Sequence, residues 1–240
     1  MSLPHLPRRG ALLAGLGAAC LVLPSGLRAQ DQKGSATGQE KEVGAVEDLM
    51  REHGILRRVL LVYAETVPKL EKEASGWDVD AVRQAAQLFR SFGEDYHEKK
   101  LEEENIFPAI RTGAANLGPM TDTLAHQHAR GREITDHILG ATEGGRIKTG
   151  QGKPLAGQVR ALIRMYDNHT AREDTILFPA WKKTLSQQKL DELSEKFEGI
   201  EKQVFGTDGF DDAVKKIADI EGRLGLADLA MFTAPAPALK

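Results

Sequence analysis

The stretch that decides how this chain is read is DNHTAREDTILFP at residues 167–179, because a second stretch of the same kind, YHEKKLEEENIFP, stands at 96–108. Each copy holds a histidine, acidic residues and an apolar-Phe-Pro close: His169, Glu173 and Leu177-Phe178-Pro179 in one, His97, Glu102 and Ile106-Phe107-Pro108 in the other. The repeat is one of packing or one of chemistry. The Phe-Pro part reads as packing, with the ring expected to fill a helix-bundle end and the proline, which lacks an N–H, to terminate the helix. The His and Glu part reads as chemistry, because packing alone gives no reason to repeat ionisable groups on an apolar face.

Both copies lie in helical patterns. From Ala45 onward, Val46, Leu49, Leu56, Leu60, Tyr63 and Val67 share one face at about 100° per residue, and His53 lies in the middle of that face. Pro68 closes this helix or stands near its end. A second helix is expected from Trp77-Asp78 to about Ile106, a third from Pro119 to Leu139 and a fourth from Pro154 to Lys183. The connections GAANLGPM and GATEGGRIKTGQGKP separate them, and strand signals are nearly absent. The expected fold is therefore all-α, an antiparallel up-down four-helix bundle over residues 45–183. Residues 184–232 read as a C-terminal two-helix extension, with Ser186 as N-cap and Leu190, Leu193, Phe197, Ile200 and Val204 as its first stripe, then Phe210, Val214, Ile217, Ile220 and Leu224 as its second. Residues 233–240, TAPAPALK, read as a loose tail.

The start of the chain has a different character. Residues 1–29 carry Arg8-Arg9, an apolar run from Gly10 to Leu23 and a Pro-Ser-Gly break, the layout of an export signal of twin-arginine type. A periplasmic or otherwise exported protein is expected, with 30–44 as a flexible linker. The sole cysteine, Cys20, lies inside the signal, so the mature protein would offer no thiolate and any metal site must use nitrogen and oxygen. With 41% hydrophobic and 28% charged residues the chain can build one good core, and its formal charge of −3 points to no nucleic acid and, after signal removal, to no membrane.

The polar residues on the inward faces can now be asked what they do. In the third helix Met120, Leu124, Gly131, Ile134 and Ile138 form the apolar stripe; His128 lies inside it, whereas His126 and His137 point to the other side. In the fourth, Val159, Leu162, Tyr166, His169, Glu173 and Ala180 share a face, with Glu173 one turn after His169. Several buried carboxylates among histidines repel one another unless a cation is present. Imidazole and carboxylate without thiolate suit iron, manganese or zinc, and the carboxylate share favours a two-ion centre.

The run VEDLMREHGILRR around His53, QHARGR around His128 and the two His/Glu segments resemble the hemerythrin-like, HHE cation-binding family over Ala45 to Lys183. The resemblance implies a pair of non-haem iron ions, with His53, His97, His128 and His169 as terminal ligands and Glu102 and Glu173 as bridges; manganese or zinc are the lesser alternatives. Two features depart from it. Where oxygen-carrying members have a further histidine one turn after that of the third helix, this chain has Arg132, which implies an open or water-filled position and makes oxygen carriage a doubtful main function. Aligning IFP with LFP also sets Glu98, not His97, opposite His169. A five-residue step turns about 140° in a regular helix, so His97 and Glu102 are expected to converge through one wide π-turn between them. In a regular helix Glu98 or Glu103 would replace one of the two.

Tyr63, Tyr96 and Tyr166 lie on or near core faces, where a phenol could reach a bridging carboxylate or a backbone carbonyl, and the direction of Arg132 is open. Three functions follow. One is a protein that binds or senses oxygen, nitric oxide or peroxide. Another is a redox enzyme for peroxide, nitric oxide or ferrous iron, with an electron donor, and the third is iron storage or delivery.

Overall fold

Helix α1 (Ala45–Glu71) opens with Glu47 and Asp48 in its first turn, where carboxylates offset the partial positive charge of unpaired N–H groups. This is a computed structural model in which residues 43–237 are described. The expected export signal, the linker before Val43 and the last three residues of the expected tail lie outside the described residues. The buried face of α1 carries Leu49, His53, Leu56, Leu60, Tyr63 and Val67, and Pro68 sits in its last turn.

Helix α2 (79–113) starts at Asp78, whose side chain accepts the Ala81 N–H at 2.9 Å. It is α-helical over Val79–Leu88, π-helical over Phe89–Ile106 and α-helical again over Phe107–Gly113. The expected stop at Ile106-Phe107-Pro108 is thus corrected, because the helix runs on to Gly113. The reason is the wide bonding before it. The Phe107 N–H donates to the Glu102 carbonyl five residues back, so the next position falls where a carbonyl is skipped as α-bonding resumes. Pro108, with no N–H to place, fits the first turn of the resumed α-helix.

Helix α3 (Gly118–Ala141) has Pro119 in its first turn. Helix α4 (152–183) repeats the device of α2: α-helical over Gly152–Arg172, a wide turn over Glu173–Leu177, then Phe178–Lys183 with Pro179 in the first turn of the resumed α-helix. There too the Phe178 N–H donates to the carbonyl of Glu173. Glu71 pairs with Arg160 near one end of α1 and His53 with Asp174 nearer the other, so α1 and α4 run in opposite directions. The pairs Arg90–Asp136 and Arg111–Asp122 give the same result for α2 and α3.

Beyond the repeat, Ser186 caps helix α5 (Gln187–Phe205) and Asp208 caps α6 (Gly209–Leu224); a short 3-10 turn follows at Leu229–Phe232. Both helices pack on α1 and α2. Arg58 grips Glu221 with two N–H bonds at 2.8 and 2.5 Å, and Arg223 grips Asp78 at 2.9 and 2.8 Å. Val204, expected on the inner stripe of α5, is 42% exposed. Its neighbour Phe205 lies against Phe92 and Tyr96 instead, the larger ring taking the contact. Among the described residues the protein is all-helical, with no strand, and no helix is long and apolar enough to cross a membrane.

Candidate metal centre

The inward faces of α1 to α4 bring His53, His97, His128 and His169 together with Glu102 and Glu173, all six buried. A ligand atom from each of Glu102, His128, His169 and Glu173 lies within 4.8 Å of the others, and His53, His97 and Glu102 form a second such group. The rings are paired. His53 Nε2 and His97 Nε2 stand 3.0 Å apart, and His128 Nε2 and His169 Nε2 stand 3.1 Å apart. Glu102 spans the pairs, with Oε1 3.5 Å from His97 Nε2 and Oε2 3.2 Å from His128 Nε2. Glu173 also reaches both, Oε2 lying 3.5 Å from His53 Nε2 and 3.0 Å from His169 Nε2.

The outer nitrogens decide which way the inner ones face. His53 Nδ1 lies 2.7 Å from Asp174, His97 Nδ1 2.5 Å from Glu52, His128 Nδ1 3.0 Å from Glu103 and His169 Nδ1 2.9 Å from the Gln127 amide oxygen. Each partner is an acceptor, so each Nδ1 carries the proton and donates, leaving every neutral ring with an Nε2 lone pair aimed inward. All four oxygens of Glu102 and Glu173 are buried without a hydrogen-bond partner. Converging lone pairs and orphaned carboxylates are costly to bury unless a cation satisfies them. A nitrogen and oxygen donor set divided into two histidine pairs joined by two carboxylates fits a pair of iron, manganese or zinc ions.

Without a cation, protons must do part of that work. Burial pushes the Glu173 carboxyl well up, and the Glu102 charge adds to it. Burial likewise pushes His169 down to about 3, helped by His128. Burial acts upward on Glu102 and downward on His97 and His128, but their mutual attraction outweighs it: without a cation these two imidazoles are held well above their ordinary value, in the charged form, and the Glu102 carboxyl well below its usual range. One carboxyl of the two is therefore favoured as the acid and the other as the anion, an asymmetry that a bound cation would remove.

The expected wide turn between His97 and Glu102 is present as part of a much longer π-helical stretch, whereas the second one, at Glu173–Leu177, is not foreseen by the His169 to Glu173 spacing. His97 faces the cluster. Its neighbour Glu98 turns to Tyr166, whose hydroxyl donates to Oε1 at 2.6 Å. Arg132, whose direction the sequence leaves open, points inward and donates to Glu103 at 2.7 Å and to the Glu94 carbonyl at 3.2 Å. It is lodged against the grouping of Glu98, Glu103 and His128. His126 and His137 are exposed.

Two expectations need correcting. Neither Tyr96 nor Tyr166 touches a bridging carboxylate: Tyr96 donates to Glu52 at 3.0 Å, one bond further out, while the Tyr63 hydroxyl has no partner among the described residues. The phenylalanines of the repeat are not merely bundle-end packing. Phe178 stacks on His53 and Phe107 on His128, each at 5.5 Å between centroids, so each copy steadies a histidine from another helix. The residues sequence reasoning missed as hydrogen-bond partners are Glu52, Gln127, Glu103 and Asp174. Each stands directly beside a candidate ligand in the sequence, which is the one signal that could have found them.

A cleft of about 300 Å³ lined by Lys69, Glu73, Trp77, Arg146 and Lys148 contains none of the six clustered residues. The chain matches the Hemerythrin HHE cation binding domain family over residues 44–181. It is 42% identical over 196 residues to the uncharacterized protein Rv1995 of Mycobacterium tuberculosis, covering 81% of this chain and 76% of the relative. The uncharacterized protein Mb2018 of Mycobacterium bovis shows the same identity over the same shares of each chain. No solved structure gives a significant match.

Proposed function

The chain belongs to the hemerythrin HHE cation-binding domain family, and from that premise we propose that it is an exported protein holding two non-haem iron ions with which it binds or senses oxygen, nitric oxide or peroxide. The observation that carries the reading is the set of four imidazole Nε2 atoms and four orphaned carboxylate oxygens converging in one buried space. His53 and His97 would hold one ion, His128 and His169 the other, with Glu102 and Glu173 between them. Two iron ions, when bound, supply one-electron exchange and coordination positions for a small ligand.

The residues of the chain set the terms. Glu52, Asp174, Glu103 and Gln127 fix the tautomers, and Phe107 and Phe178 hold two rings in plane. Arg132 brings a guanidinium where a further imidazole would add a ligand, which favours an open position over reversible carriage of oxygen. The opposed directions of α1 with α4 and of α2 with α3 support an antiparallel up-down four-helix bundle as the frame. Export rests on Arg8-Arg9 and the apolar run after it; a twin-arginine route would deliver the protein folded and loaded.

Metal analysis of anaerobically purified mature protein, followed by an absorption spectrum before and after air, tests the reading. About two irons per chain with new near-ultraviolet and visible bands on oxidation are expected. Absence of metal from a folded protein that also fails to take up ferrous iron would overturn it. With peroxide and a reductant, a binding protein shows one stoichiometric oxidation and stops, whereas sustained turnover assigns a redox enzyme instead.

A further inference from the structure

We propose that the two metal positions are unequal, that the His53/His97 position takes up metal first, and that Gln127 is the positioning residue that keeps the His128/His169 position weaker. The inference rests on the two-ion reading above. Both bridging carboxylates reach both histidine pairs, at 3.5 Å from His53 and His97 and at 3.0 and 3.2 Å from His169 and His128, so both positions share them and the difference proposed here lies in the imidazoles and what stands behind them.

Behind the first pair stand two carboxylates. His97 donates to Glu52 at 2.5 Å, a buried carboxylate that also accepts the Tyr96 hydroxyl and that, among the described residues, pairs with no lysine or arginine. His53 donates to Asp174 Oδ1 at 2.7 Å, while Arg57, 42% exposed, takes the other oxygen. A charged acceptor draws the Nδ1 proton and pushes electron density to Nε2, the atom that faces the metal.

Behind the second pair this push is weaker. His128 shares the single oxygen Oε1 of Glu103 with Arg132, at 3.0 and 2.7 Å, so the lone pairs that would polarise the ring also serve a guanidinium. His169 has only the neutral amide oxygen of Gln127. The other buried carboxylate on this side, Glu98, gives Oε1 to Tyr166 and has Oε2 3.4 Å from Arg132. Room for that arrangement comes from Gly131, where a Cβ would stand 2.2 Å from the Tyr166 hydroxyl.

The test is an anaerobic calorimetric titration of the metal-free full chain with ferrous iron alone, run beside Gln127→Glu and Glu52→Gln. Two steps separated by about tenfold or more are expected, the lower end of what outer hydrogen-bond partners contribute. Gln127→Glu is expected to tighten the weak step by about tenfold and leave the strong one, and Glu52→Gln to weaken the strong one by a similar factor. If circular dichroism shows that Glu52→Gln does not fold, Asp174→Asn, at a site in contact with solvent, makes the same test. Two equal steps, or a Gln127→Glu variant in which only the strong step moves, overturn the inequality and leave the two-ion reading standing. Failure of the folded wild-type chain to take up a second ion overturns that reading itself.

Discussion

The two copies of the His/Glu/Phe-Pro stretch reach the same point by different routes. In α4, His169 and Glu173 are four residues apart, their atoms 3.0 Å apart, with ordinary helix up to Arg172 and the wide turn beginning at Glu173 itself. In α2, His97 and Glu102 are five apart, and the widening runs from Phe89 to Ile106 through both residues. What is shared is the last step, a Phe N–H donated to the glutamate carbonyl five residues back and a ring sent onto a histidine of another helix. The fold therefore holds the glutamate-to-phenylalanine span fixed and lets the histidine spacing vary, provided the helix pitch varies with it.

If the copies are equivalent at their glutamates, Glu102→Gln and Glu173→Gln should be the largest effects and equal ones. Each is expected to lower metal affinity by more than the roughly 100-fold reached by losing an outer partner. His126→Ala, on the exposed face, is expected to leave uptake unchanged. Unequal losses from the two glutamates, read by metal analysis after dialysis, would break the equivalence.

The copies differ one turn earlier, where α2 has Glu94 and the same alignment sets Met165 in α4. Glu94 is buried, and burial together with the Glu98 charge raises its carboxyl to about 8. Its folded value lies above its unfolded one, so the folded state binds more protons between about pH 4.5 and 8, and stability from this group falls as pH rises through that window. The slope is at most about 1.4 kcal/mol per pH unit, the value for one proton. Glu94→Gln should flatten it, as read by denaturation midpoints across the window. Identical slopes in the two proteins would contradict the assignment.

Gly131→Ala should cost about 1–3 kcal/mol, since the added methyl meets the Tyr166 hydroxyl at 2.2 Å and overpacking of that kind is rarely absorbed. Combining it with Tyr166→Phe should restore part of the loss in denaturant unfolding, and a purely additive double variant would show that the contact is not the cause. The smallest effect expected is the loss of a ring stack. Phe107→Leu and Phe178→Leu should each cost about 1 kcal/mol, and by the same amount in both copies if the shared step is what holds the histidines.

Much of the site was legible because most of its helices are regular where it matters. His53, His128 and His169 fall on apolar faces at 100° per residue, and His126 and His137 fall off them, a sorting the burial reproduces. His97 was harder. Its five-residue distance to Glu102 fits no α-helical face, and only the supposition of a wide turn kept it ahead of Glu98. The full extent of that widening left no mark in the spacing, and neither did the turn that begins at Glu173, because the four-residue step from His169 to Glu173 fits an ordinary helix. Proline misled for the same reason, a helix stop in ordinary bonding being a tolerable start after a wide turn.

The hydrogen-bond partners of the histidines were hidden in a different way. Glu52 adjoins His53 but serves His97, Gln127 adjoins His128 but serves His169, Glu103 adjoins Glu102 but serves His128, and Asp174 adjoins Glu173 but serves His53. Adjacency in the chain names the residue, and only the packing of helices names its partner.

The most direct test of the account is anomalous diffraction at the iron edge from crystals of protein loaded anaerobically with ferrous iron. Two peaks are predicted, one against the Nε2 atoms of His53 and His97 and one against those of His128 and His169, with Glu102 and Glu173 between them. A single peak elsewhere, or iron bound outside the cluster while the four imidazoles keep their Nε2 atoms turned to one another, would contradict it.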